Sequence, residues 1–111
     1  MAHTRPHRIR VIGKVITVHY VPTGDVLLRD DPEDAHPGMG RSDTDKQLIA
    51  VQEGLPLATE QDTVLHEVLH TVEAFMGLDV EEEVIEKLAT GLLGVLKDNP
   101  KLVTYLRARE K

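Results

Sequence analysis

The stretch EGLPLATE, residues 53–60, divides the chain into two unlike halves, and this division constrains the fold more than any other feature. Upstream of Gly54 and Pro56 the hydrophobic residues are largely β-branched and come in short runs. Downstream they recur at three- and four-residue spacing over stretches long enough for helices. Strands first and helices afterwards predict the α+β class. A chain of 111 residues has room for one hydrophobic core, so a single domain over 1–111 is expected.

Within the first half, residues 9–21 (IRVIGKVITVHYV) alternate on either side of Gly13-Lys14 and predict a hairpin. Residues 22–46 hold three of the six prolines and many acids, which reads as a long loop with a short strand over 39–43. The run QLIAVQ, residues 47–52, is a further short strand. The first ten residues carry Arg5, His7, Arg8 and Arg10, and 1–8 reads as a flexible solvated arm.

In the second half Thr59, with Asp62 three residues on, predicts a capped helix start; the helix runs to Met76, and Gly77 supplies a left-handed stop. Asp79 and Glu82 repeat that pattern and open a second helix to about Lys97. Asn99-Pro100 ends it and starts a short third helix.

The first of these helices contains HEVLH, residues 66–70. With His66 at zero on a helical wheel, the apolar residues Val64, Leu65, Val68, Leu69, Val72, Phe75 and Met76 cover an arc from about 160° to 300°. His66 and His70 fall outside it, at about 0° and 40°, with Glu67 near 100°. Two imidazoles one turn apart on one face suit a tetrahedral metal, and Glu67 stands beside the open position without ligating. Zinc held this way lowers the pKa of a coordinated water from 15.7 towards about 7, which makes Glu67 the candidate general base for attack on a peptide carbonyl. A polar helix face carrying two exposed histidines is the plain alternative.

The rest of the composition narrows the site. With no cysteine a thiolate site is excluded, so a metal must be held by histidine and carboxylate. Two imidazoles need a third protein ligand, and the other histidines, His3, His7, His19 and His36, all precede the motif. The ligand sought downstream is therefore a carboxylate from the second helix. Val84, Ile85, Leu88, Ala89, Leu92, Leu93 and Leu96 give that helix an apolar arc from about 0° to 180°, with Glu82 and Glu86 at its border and Glu83 towards solvent. Either border residue satisfies the geometry. Glu73, one turn beyond His70, is placed to support a ligand, because three ligands on one straight helix rarely converge.

The run DTVLHEVLHTVEAFMGLDVEEEVIEKLATGLLGVLKDNP, residues 62–100, with MGRSDTDKQLIAV upstream, resembles the small HExxH metallopeptidase-like proteins of phages and bacteria, related in pattern to the ImmA/IrrE group of gluzincins. In that pattern the metal-binding glutamate lies seven residues before the alanine of a Phe-Ala pair. The matching pair here is Leu88-Ala89, so the resemblance implies Glu82, although Leu replaces Phe and Glu82 lies only twelve residues beyond His70. It further implies a zincin-like fold, with a small twisted sheet packed on the HExxH helix, one zinc ion, and a peptide or protein substrate paired with an edge strand at 47–52.

The expected activity is thus a zinc metallopeptidase using His66, His70, Glu82 and Glu67. The alternative is a non-catalytic zincin-like module that binds metal or a partner. A net charge of −6 argues against a nucleic-acid partner. Neither an uninterrupted apolar leader nor a stretch of ~20 apolar residues is present, which predicts a cytoplasmic protein without a membrane span. Tyr20, Tyr105 and His36 are the available groups for stabilising an oxyanion.

Overall fold

The computed structural model describes residues 4–29 and 38–110. Four strands, β1 (Arg8–Val11), β2 (Lys14–Val21), β3 (Gly40–Asp43) and β4 (Leu48–Gln52), precede three helices, α1 (Leu57–Met76), α2 (Glu82–Asp98) and α3 (Pro100–Arg107). The fold is α+β, as the division of the sequence requires. The strands form one mixed sheet in the order β1-β2-β4-β3, with β2 and β4 parallel and the outer pairs antiparallel.

That order corrects one expectation. The strand near 47–52 is not an edge: β4 is hydrogen-bonded to β2 on one side and β3 on the other, so its backbone is spent within the sheet. The edges are β1 and β3. The hairpin turn also sits one residue earlier than the Gly13-Lys14 reading, at Ile12-Gly13, where both residues have positive φ. Of the expected loop, residues 30–37 lie outside the described residues; the described part contains a turn of 3-10 helix, Val26–Leu28, whose start is capped by the Asp25 carboxylate accepting from the Leu27 N–H.

Ile16 and Val18 of β2 and Ile49 and Val51 of β4 alternate onto one face and, with Val11, form the main core. Val64, Val68, Val72 and Phe75 of α1 pack against it. Each such aliphatic side chain contributes on the order of 1.5–3 kcal/mol by leaving water. Only part of the apolar arc predicted for α1 is used in this way. The most buried face of the helix is polar, formed by Glu60, Thr63, Glu67 and Thr71. The two threonines satisfy their hydroxyls within the helix, Thr63 donating to the Thr59 carbonyl and Thr71 to that of Glu67, which leaves their methyl groups for packing.

Both helix starts differ from the capping-box readings. The Pro56 carbonyl accepts from the Glu60 N–H, so α1 begins before Thr59, and neither Thr59 nor Asp62 acts as a cap pair. α2 begins at Glu82 behind Glu81, without a side-chain cap from Asp79. The stop at Gly77 is as expected: φ is +67° and the Leu78 N–H bonds back to the Glu73 carbonyl.

The segment before β1 is docked rather than a free arm from residue 5 onward. Arg5 pairs with Glu60 at 3.2 Å and lies over the Tyr20 ring, whose hydroxyl donates to the Pro6 carbonyl. Residues 1–3 lie outside the described residues. Among the described residues no helix is long and apolar enough to cross a membrane.

Candidate metal centre

The turn between α1 and α2 decides where the second helix starts, and one carboxylate fastens it. Glu73 Oε2 accepts from the Val80 N–H at 2.6 Å, while Glu73 Oε1 accepts from His70 Nδ1 at 3.0 Å. The Val80 bond first, and then the His70 bond, holds the Glu73 carboxyl below its ordinary value of 4.5, so it is ionised and must be the acceptor in both. His70 therefore keeps a proton on Nδ1, so that when the imidazole is neutral its Nε2 lone pair faces the other side. This is the usual arrangement of a metal-binding histidine and its supporting carboxylate.

With the turn closed in this way, α2 starts beside the histidines. Glu82 Oε1 lies 2.6 Å from His66 Nε2, Glu82 Oε2 lies 2.8 Å from His70 Nε2, and the two Nε2 atoms are 3.1 Å apart. Thus the structure brings together His66, His70 and Glu82, whose donor atoms could hold a metal ion. A tetrahedral zinc with bonds of about 2.0–2.1 Å sets its ligand atoms roughly 3.3 Å apart, so the donors would spread by less than about 1 Å to receive it. Glu82 is 57% exposed at its side chain and free to make that adjustment. Two imidazoles and a carboxylate are a donor set of the kind that zinc accepts, once the donors have spread in this way. Glu86, the other border residue, lines the same cleft but is not one of the three clustered donors. The short interval between His70 and Glu82 is accommodated because Glu73 folds the connection back tightly.

Glu67 projects from the buried face of α1, and its Oε2 stands 4.0 Å from His66 Nε2. Burial raises its pKa above the ordinary 4.5 and outweighs the opposing pull of the two histidines; Glu82 adds to the rise, and a hydrogen bond from Ser42 lowers it. His70 is balanced the other way. Burial lowers its proton affinity, but Glu73, Glu82 and Glu67 together hold its pKa above 6.5.

The wall opposite Glu67 is β3. A Cβ built on Gly40 would lie 2.6 Å from the Thr63 methyl and 3.1 Å from Glu67 Oε2, so only glycine lets the strand come this close to the helix. Asp62 on α1 and Thr90 on α2 close the far side, with the Thr90 hydroxyl donating to the Asp62 carboxylate at 2.8 Å. These residues bound a cleft of about 440 Å³ between the β3 end of the sheet and α2, into which His66, Glu67 and Glu82 open.

Sequence reasoning missed Gly40, Ser42 and the Asp62–Thr90 pair. Nothing in the sequence around them signalled these contacts, since a glycine in a short strand does not say which helix the strand meets. Of the oxyanion candidates, the two described ones, Tyr20 and Tyr105, are not brought to the site. The Tyr20 hydroxyl is engaged with Pro6, Tyr105 is 76% exposed on α3, and His36 lies outside the described residues. No family model, no curated protein and no solved structure matches the chain.

Proposed function

We propose that the chain is a minimal zinc metallopeptidase of the zincin type, akin to the small HExxH proteins that its sequence resembles. The observation that carries this reading is the convergence of His66 Nε2, His70 Nε2 and the Glu82 carboxylate on one point, at separations of 2.6 to 3.1 Å, with Glu67 beside them. Zinc bound there would supply Lewis acidity for a peptide carbonyl and for water.

The other parts fall to the chain itself. Glu67, buried and with a raised pKa, is suited to take a proton from a water in the cleft and pass it to a leaving amine. Glu73 holds His70 in the tautomer that offers Nε2 outward. Among the described residues no strand pairs with the outer edge of β3, and Gly38, Met39 and Gly40 line the cleft. An extended peptide laid along that edge would bring its backbone past Glu67.

Metal analysis and a conservative variant test the reading. The purified protein is expected to hold one equivalent of zinc, lost in His66→Ala. Glu67→Gln is expected to keep the zinc while hydrolysis of a mixed peptide library falls by about 10²–10⁴-fold, the usual contribution of a general base. Zinc retained with the same hydrolysis in wild type and Glu67→Gln would leave a metal-binding module in place of an enzyme.

A further inference from the structure

Helix α2 uses little of its apolar surface. Of its 17 residues only Ile85 and Ala89 are buried, although the sequence predicts an apolar arc of about 180°. The half of that arc bearing Val84, Leu88 and Val95 is exposed, at 44%, 47% and 45%. α3 has no buried residue, and Leu102, Tyr105 and Leu106 are exposed along it. An eight-residue helix without a packed face is marginal in water. The molecule is extended accordingly, 49 Å along its longest axis.

We propose that the α2–α3 arm is the interface of a homodimer in which two copies pair antiparallel about a two-fold axis near Gly91. Three independent features favour a second copy as the occupant. The first is spacing: Val84, Leu88, Gly91 and Val95 follow the four-three-four repeat of a coiled-coil seam, and nothing lies within 4 Å of a Cβ built at Gly91 or Gly94. The small residue therefore sits mid-seam, where two helices would cross most closely.

The second feature is charge. The start of the arm carries Asp79, Glu81, Glu82, Glu83 and Glu86 against one cation, Lys87, whereas Lys97, Lys101, Arg107, Arg109 and Lys111 lie towards its end against Asp98 and Glu110. Antiparallel pairing sets the acidic half of each copy against the basic half of the other; parallel pairing would set like against like.

The third is area. Eight large apolar side chains are exposed on α2 and α3. The six that lie on the seam or on α3, Val84, Leu88, Val95, Leu102, Tyr105 and Leu106, offer on the order of several hundred Å² per protomer, the scale of the roughly 800 Å² per partner of a standard interface. Glu82 lies roughly 150° around α2 from the seam, so the cleft stays open in the dimer. The proposal does not rest on the metal reading.

The chain has no cysteine, which allows a direct test. Sedimentation equilibrium of the intact wild-type protein is expected to give twice the 12.4 kDa chain mass at 100 μM, about tenfold weaker association when salt is raised from 50 to 500 mM, and a monomer for Leu88→Glu with unchanged helical circular dichroism. Under mild oxidation Gly91→Cys is expected to form a disulfide-linked dimer while Glu53→Cys, on an exposed turn, does not. Leu106→Glu, at a side chain 64% exposed, provides a second variant should Leu88→Glu fail to fold. A wild-type monomer at 100 μM overturns the proposal, as does a dimer that survives both substitutions or crosslinks no better at Gly91 than at Glu53.

Discussion

Ile12 adopts φ +50° at the first position of the hairpin turn, a conformation that costs an L-residue roughly 1–2 kcal/mol, and more for a β-branched one. Its side chain is 57% exposed, so packing offsets little of that strain. Ile12→Asn gives the Asn-Gly pair that this turn type favours and is expected to stabilise the protein by about 1 kcal/mol in urea unfolding; a lower midpoint would mean that Ile12 packs better than its exposure indicates. Glu73 carries a different kind of local energy. Its pKa is lowered in the folded state, so it adds stability above its unfolded value of 4.5 and loses that contribution as pH falls through the lower folded value. Glu73→Gln should therefore unfold more readily than wild type at pH 7, with the two midpoints converging as pH drops below 4.5. A gap that persists in acid would assign the loss to packing instead of charge.

Gly40 couples the strand to the helix that bears the site. An alanine methyl there meets the Thr63 side chain at 2.6 Å, and the strand must retreat from α1. Gly40→Ala is expected to cost about 1–3 kcal/mol, the usual range for overpacking, and to reduce the proposed hydrolysis beyond the stability loss because Glu67 Oε2 lies 3.1 Å from the same point. Comparing thermal midpoint with turnover well below that midpoint separates the two effects. This contact was invisible in the sequence, since it depends on which strand occupies the sheet edge. Elements set by local pattern were legible: the alternating hairpin, the Gly77 stop, the Pro100 start of α3, and HEVLH on one helical face. Helix starts were not, because backbone acceptors such as the Pro56 carbonyl replaced the side-chain caps that Thr59 and Asp79 suggested. The edge position of 47–52 was taken from the resemblance alone. Hydrophobicity marks 47–52 as buried but does not say how many neighbours it has. Periodicity left Glu82 and Glu86 equally placed and the resemblance implied Glu82; in the structure the Glu73-closed turn, a contact across seven residues to Val80, starts α2 with Glu82 beside the histidines.

α1 and α2 meet through a polar centre as well as through Ile85 and Ala89, so occupancy of that centre should govern how firmly the second helix is held to the body of the molecule. A ligand that binds only the folded state adds about 2.7 kcal/mol when present at a hundred times its dissociation constant, and zinc is expected to raise the thermal midpoint of wild type but not of His66→Ala. The pH dependence of this gain has a definite sign. Burial lowers the proton affinity of His70, but Glu73, Glu82 and Glu67 more than reverse it and set its pKa above 6.5. In the zinc-free protein the protonated imidazole thus contributes stability that is complete below 6.5 and is lost as pH rises through the folded value. Zinc needs the opposite state, with the Nε2 lone pair available. Its stabilising increment should therefore be small below pH 6.5 and grow to its full size once pH passes the folded value, while the zinc-free midpoint declines across the same interval. Calorimetry with and without a chelator, from pH 5.5 to 8.5, measures both curves. Curves that run parallel across that range would remove His70 from the ligand set.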